Sequence, residues 1–207
     1  MSDNVEVLYA NGSGLAHANG HVRHDADRVA LMTRLLESLG VDVTGDLAET
    51  PDRWIRAFIE MTSGYAEDPA VILSKRFKQP AADELVLLTD IPFVSLCEHH
   101  LLPFSGVAHI GYLPDGFVVG ISKLARLVDC HAKRLQIQER MTQDIATALV
   151  THLNTTAAGC IVEATHSCIS CRGIKKPGTS MTTSCLLGRL RTDAMMRSEF
   201  LSLVVVK

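Results

Sequence analysis

The residues of this 207-residue chain best suited to chemistry fall in two short runs. The first, Cys97-Glu98-His99-His100, holds a thiol and an imidazole separated by two residues. Thiolate and imidazole are preferred zinc ligands, and that spacing lets both turn onto one ion. The second run extends from Ala164 to Arg172. Read as a strand over Cys160–Ser170, its side chains alternate, so His166, Cys168, Ser170 and Arg172 share one face. A thiol, an imidazole and a guanidinium facing one way are not what a core strand needs, because buried polar groups require partners. Cys168 is therefore the third candidate ligand beside Cys97 and His100, with His166 and Arg172 adjacent. The same parity sends Cys171 to the opposite face. Three protein ligands leave the fourth position to water, the pattern of a catalytic zinc site.

A second kind of chemistry is written in Ser122-Lys123-Leu124-Ala125-Arg126. Lys123 and Arg126 are three residues apart and share a helical face, while Leu124, Leu127 and Val128 take the other. Two cations, a serine hydroxyl and the N–H groups of a helix start suit a phosphate. A solvated basic face has the same pattern. In Gln138-Glu139-Arg140, at the next helix start, a carboxylate can accept the N1–H and 2-amino protons of guanine side by side. A glutamate favoured there by the helix dipole looks identical. Arg53, one turn into a helix opened by Thr50-Pro51, is a further phosphate candidate.

The elements that must position these groups read as α+β. Residues 1–22 show no period and read as a disordered tail. Helices are predicted over His24–Leu39, stopped by Gly40, over Thr50–Met61 with Thr50 as the cap, and from Asp68-Pro69. Strands are predicted over Glu84–Ile91, Phe104–Leu113, Phe117–Ile121, Cys160–Ser170 and Met181–Leu187, with Pro114-Asp115-Gly116 as a turn. Between them fall a helix capped by Ser122 and another over Gln138–Leu153. A last helix covers 193–204. This divides the chain into the tail, a helical region at 23–80 and a catalytic domain at 81–207.

Hydrophobic residues at 47%, charged residues at 21% and a net charge of −3 give a globular chain with no global basic field for nucleic acid. No apolar run approaches the ~20 residues of a membrane span, and no secretory signal is read. The six cysteines then read as thiols or ligands in a cytoplasmic protein.

Taken together, Cys97–His100, His109–Pro114, Gly120–Arg126, Gln136–Arg140, Glu163–Cys168 and Arg172-Gly173 resemble GTP cyclohydrolase I, in one order, over roughly residues 24–205. The resemblance implies a tunnelling fold: an antiparallel four-stranded sheet with two helices inserted between its second and third strands, preceded by N-terminal helices. It also implies a toroidal homodecamer with active sites between subunits. The implied reaction takes GTP to formate and 7,8-dihydroneopterin triphosphate, the first step of folate or tetrahydrobiopterin synthesis. One Zn2+ per subunit would sit on Cys97, His100 and Cys168. His166 would protonate the purine at N7 while zinc activates the water that attacks C8. His99 and Ser122 would assist ribose opening. Glu139 would hold the guanine edge, with Gln138 grouped among the substrate contacts. Lys123, Arg126 and Arg172 would face the triphosphate. Two alternatives stand beside it. One is a structural zinc module closed by Cys171 as a fourth ligand. The other is a different tunnelling-fold enzyme acting on a pterin or purine.

Overall fold

The computed structural model describes residues 21–205 and divides into two compact units, one ending at Glu60 and one running from Met61. The tail expected at residues 1–22 lies outside the described residues as far as residue 20. In the first unit, helix α1 covers His21–Ser38 and Gly40 follows at φ +81°, the left-handed stop that glycine adopts without strain. Helix α2 covers Thr50–Met61. The Arg53 N–H donates to the Glu49 carbonyl, so the helix begins one residue before the expected Thr50 cap. Trp54 and Phe58, one turn apart, stack with ring centroids 4.9 Å apart.

The second unit is mixed α+β around an antiparallel sheet. It opens with helix α3 (Pro69–Leu73), where the Asp68 carboxylate accepts from the Ala70 N–H and Pro69 occupies the first turn. The strands and helices that follow are β1 (Arg76–Lys78), β2 (Val86–Cys97), β3 (Pro103–Tyr112), β4 (Phe117–Val119), α4 (Ile121–Ala132), β5 (Leu135–Gln136), α5 (Gln138–Leu153), β6 (Ala157–His166), α6 (Ser167–Ser170), β7 (Met181–Gly188), α7 (Arg189–Thr192) and α8 (Ala194–Val205). The main sheet runs β5-β2-β3-β6-β7. All its neighbours are antiparallel except the two-residue β5, which joins β2 in parallel. Helices α4 and α5 thus lie in sequence between β3 and β6.

Several elements depart from the sequence reading. β2 continues to Cys97 rather than ending at Ile91. A bulge between Leu88 and Ile91, with Asp90 at φ +54°, carries the strand past Pro92. Pro92 is tolerated because β2 has a second neighbour only at Leu96–Cys97, where β5 joins. β4 follows the Pro114–Gly116 turn but pairs with β1, not with β3. β6 stops at His166 instead of Ser170. Helix α4 starts at Ile121 with Gly120 as its cap, so Ser122 lies inside the first turn and caps nothing.

One core lies between the sheet and helices α4 and α5, where Leu124, Leu127, Val128, Met141, Ile145 and Leu149 are all at most 1% exposed. The opposite face of the sheet carries a smaller cluster built on Leu190, Phe200 and Ile161. A Cβ on Gly159 would stand 2.9 Å from the Phe200 ring, and one on Gly111 would stand 3.1 Å away. Those two glycines let α8 press an aromatic ring onto the strands. Among the described residues no helix is long and apolar enough to cross a membrane.

Candidate active site

The Cys97–Leu102 segment is a tight turn leaving the end of β2. The Leu101 N–H donates to the Cys97 carbonyl at 2.8 Å, and the Cys97 N–H returns to the Leu102 carbonyl at 2.9 Å. Leu101 holds φ +54°, which an unbranched-at-Cβ residue accepts at a cost and which lets the chain reverse directly into β3. The turn is tied sideways as well. The Glu98 N–H donates to the Gln136 carbonyl at 3.0 Å, and the Glu98 carboxylate pairs with Arg140. Arg140 also donates to the Gln136 side-chain oxygen at 3.1 Å.

This turn and helix α6 bring Cys97, His100 and Cys168 together, with one ligand atom of each within 4.8 Å of the others. The Cys97 sulfur is 3.8 Å from His100 Nδ1 and 3.9 Å from His99 Nδ1. Cys97 is buried, Cys168 half-buried and His100 exposed, so the group opens toward solvent. Burial first, and the neighbouring Cys97 thiol second, push the Cys168 thiol above its ordinary range, while Arg172 pulls it down. Thiols are metal ligands as thiolates, so a metal binding to this group displaces their protons.

Cys168 reaches this position by a route other than strand parity. The last pairing of β6 on one side is Ala164 with Met181, and on the other His166 with Phe104. With no further partners the strand ends, and Ser167–Ser170 close one helical turn. Cys171 ends that turn and aims its sulfur at the Ser167 carbonyl, 2.8 Å away. It is exposed and outside the three-residue group, although not for the reason parity supplied.

His166, the last residue of β6, is held on two sides. Its ring stacks on Phe104 with centroids 4.6 Å apart and planes 5° from parallel. Its Nε2 lies 2.8 Å from the side-chain oxygen of Gln138. Burial lowers its pKa, and the nearby Glu139 carboxylate opposes that shift. Glu139 itself is exposed on the first turn of α5. Gln138 is 1% exposed, with its amide engaged by backbone and side-chain partners on β6 and β7.

The remaining sequence candidates are carried by other elements. Ser122 is exposed and Lys123 half-buried at the start of α4. Arg126 lines a cavity of about 620 Å³ together with Glu67, Asp68 and Asp129. Those carboxylates oppose an anion, so the basic face of α4 is partly offset within this chain. Arg172 is exposed just past α6. Arg53 lies in the first unit and pairs with Glu49. Sequence reasoning did not find Phe104, Thr142 or Thr183. The signals for them are the Phe104–His166 register and the β6–β7 pairing, which no short motif encodes.

Comparison with known proteins is consistent across most of the chain. The family described as GTP cyclohydrolase I matches residues 29–205. A GTP cyclohydrolase 1 from Nitrosospira multiformis is 51% identical over 173 residues, covering 82% of this chain and 90% of the relative. One from Coxiella burnetii is 48% identical over 171 residues, covering 82% and 93%. One from Mycolicibacterium paratuberculosis is 47% identical over 205 residues, covering 97% and 100%.

Proposed function

Since the chain belongs to the GTP cyclohydrolase I family and is an enzyme of that type, we propose that it opens the guanine imidazole ring of GTP at C8, releases formate and recloses the skeleton as 7,8-dihydroneopterin triphosphate. The observation that carries this reading is the open group of Cys97, His100 and Cys168 in a chain matched by the family over residues 29–205. Zinc fits the donors present. Tetrahedral zinc with two thiolates and one imidazole separates its ligand atoms by about 3.5–3.8 Å. The Cys97–His100 separation of 3.8 Å is already in that range. When bound, zinc lowers the pKa of a water to roughly 7 and so supplies a nucleophile at neutral pH.

The chain's own residues supply binding and proton transfer. His166 delivers a proton to N7 of the purine, which makes C8 electrophilic. His99 and Ser122 move protons as the ribose opens. The Glu139 carboxylate accepts the guanine N1–H and 2-amino protons in parallel. Lys123, Arg126 and Arg172 neutralise the triphosphate, and Arg53 is a further candidate for a phosphate contact. The acids beside Arg126 favour a site completed by a neighbouring subunit, and a toroidal homodecamer would provide one. In this reading residues 81–207 form a tunnelling-fold catalytic domain, 23–80 a helical region, and the cytoplasmic product enters folate or tetrahydrobiopterin synthesis.

The test is direct. Zinc-loaded protein incubated with GTP should yield one formate per GTP and, after oxidation, a fluorescent pterin. Absence of turnover with zinc bound and the oligomer intact would defeat the proposal.

A further inference from the structure

We infer that Gln138 is a positioning residue that fixes His166 as its Nε2–H tautomer, leaving Nδ1 as the only nitrogen through which His166 can exchange a proton. The inference rests on the reading of His166 as the proton carrier, and extends it from the residue to the atom.

The orientation of the Gln138 amide is dictated by what surrounds it. Its nitrogen lies 3.0 Å from the Val162 carbonyl, 2.9 Å from the Met181 carbonyl and 3.1 Å from Thr183 Oγ1. Carbonyl oxygens only accept, so the end of the amide facing two of them must be the NH2 group. Turning the amide over would set oxygen against oxygen twice and leave buried groups unpaired, which is costly away from water. The amide oxygen therefore faces His166 Nε2 at 2.8 Å. That oxygen cannot donate, so Nε2 must, and in the neutral ring the lone pair is left on Nδ1.

The amide is locked from behind. Thr142 Oγ1 donates to the Gln138 backbone carbonyl at 2.7 Å, and Thr142 and Thr183 share a hydrogen bond of 2.6 Å. The backbone carbonyl only accepts, so Thr142 donates to it and Thr183 donates to Thr142. The two N–H groups of the Gln138 amide are shared among three acceptors, the Val162 and Met181 carbonyls and Thr183 Oγ1, all on one side of the amide. Residues of α5, β6 and β7 contribute, which makes the clamp part of the sheet. Phe104, stacked flat on the imidazole, removes the remaining freedom of ring rotation. A side chain that is 1% exposed and spends every polar atom inside the protein is not available as a substrate contact.

Two measurements test this. In a neutron diffraction map of deuterated, zinc-loaded wild-type crystals, deuterium on His166 Nε2 is expected, whether or not Nδ1 also carries one. Deuterium on Nδ1 alone overturns the inference, whatever the activity of the protein. In Gln138→Leu, kcat for GTP is expected to fall about 10²-fold, the low end of the loss for a misdirected general acid. KM should stay within about twofold and zinc content should not change. A raised KM with kcat unchanged would make Gln138 a substrate contact and overturn the inference. If Gln138→Leu does not fold, the neutron map decides alone. A wild-type enzyme that binds zinc but does not turn over GTP would defeat the proposed function while leaving the tautomer result standing.

Discussion

The metal-ligand turn at the end of β2 and the histidine clamp at the end of β6 lie at the same end of the sheet, on either side of β3, and are built on opposite principles. The turn gathers a buried Cys97, an exposed His100 and a half-buried Cys168 from two parts of the chain, with the Cys97 sulfur 3.8–3.9 Å from two imidazoles. Those ligand-type atoms could be completed by a metal ion. The clamp under His166 is already complete: every hydrogen-bonding atom of the Gln138 side chain has a protein partner. One region stores an unmet preference for a ligand, and the other has none. Removing the metal should therefore disturb Cys97, His100 and Cys168 and leave the His166–Gln138–Thr183 arrangement as it is.

The largest expected effect breaks the first region only. Cys168→Ser removes one of two thiols, so zinc content by elemental analysis should fall to background and formate release with it. The fold should survive, since Cys168 packs only at the margin of the core. A variant that keeps stoichiometric zinc would remove Cys168 from the ligand set. His166→Ala breaks the second region instead. Zinc should stay, while turnover drops about 10²–10⁴-fold, the usual contribution of a general acid. Zinc loss in His166→Ala would make the two regions one and dissolve the contrast.

How much of this was legible in the sequence follows the same division. Cys97 and His100 are three residues apart in one turn, and local spacing suffices to pair them. Asp68-Pro69 likewise announces α3, because cap and first turn lie in the same few residues. Cys168 was singled out by an alternation that does not exist, since β6 runs out of strand partners at His166. The residue is beside Cys97 because of a helical turn. Gln138 is harder still. Read locally it is a polar residue opening a helix, open to a substrate. Its burial depends on β6 and β7 passing beneath α5, and those partners lie 24 to 45 residues away. The β1–β4 pairing is invisible for the same reason: two three-residue strands separated by the whole of β2 and β3 carry no signal of each other.

A smaller effect comes from behind the ligand turn. The His131 carbonyl accepts from the Gln136 side chain at 3.0 Å, and the Gln136 backbone carbonyl in turn holds Glu98. The His131 ring is buried, and neither ring nitrogen has a hydrogen-bond partner among the described residues. Burial first, with Arg134 and His152 adding to it, pushes its pKa down to about 4. The unfolded chain therefore takes up a proton near pH 6.5 that the folded protein refuses. Stability is full above that pH, declines as pH falls toward 4, and levels off below it. A gap of 2.5 pKa steps corresponds to about 3 kcal/mol. Urea unfolding of metal-free protein at pH 7, 5 and 4 should show this decline in wild type and a shallower one in His131→Phe. Parallel curves for the two proteins would place the acid sensitivity elsewhere, and the support of the ligand turn would not depend on a neutral His131.

The smallest expected effect decides whether the ligand turn is open or closed. Cys168 and Cys171 lie three residues apart across one helical turn, which puts their Cα atoms about 5 Å apart by helix geometry. Distance along the chain therefore does not keep Cys171 from a metal. What separates it is direction, because its sulfur is turned back to the Ser167 carbonyl and exposed rather than facing Cys97. With three ligands the fourth position stays open to water, and Cys171→Ser should keep its zinc and its turnover within about twofold. Its stability should change by no more than about 0.5 kcal/mol, as for most surface substitutions. Zinc loss in this variant would mean that Cys171 swings round to close a four-ligand site. The turn would then be a staple complete in itself, and its contrast with the histidine clamp would vanish.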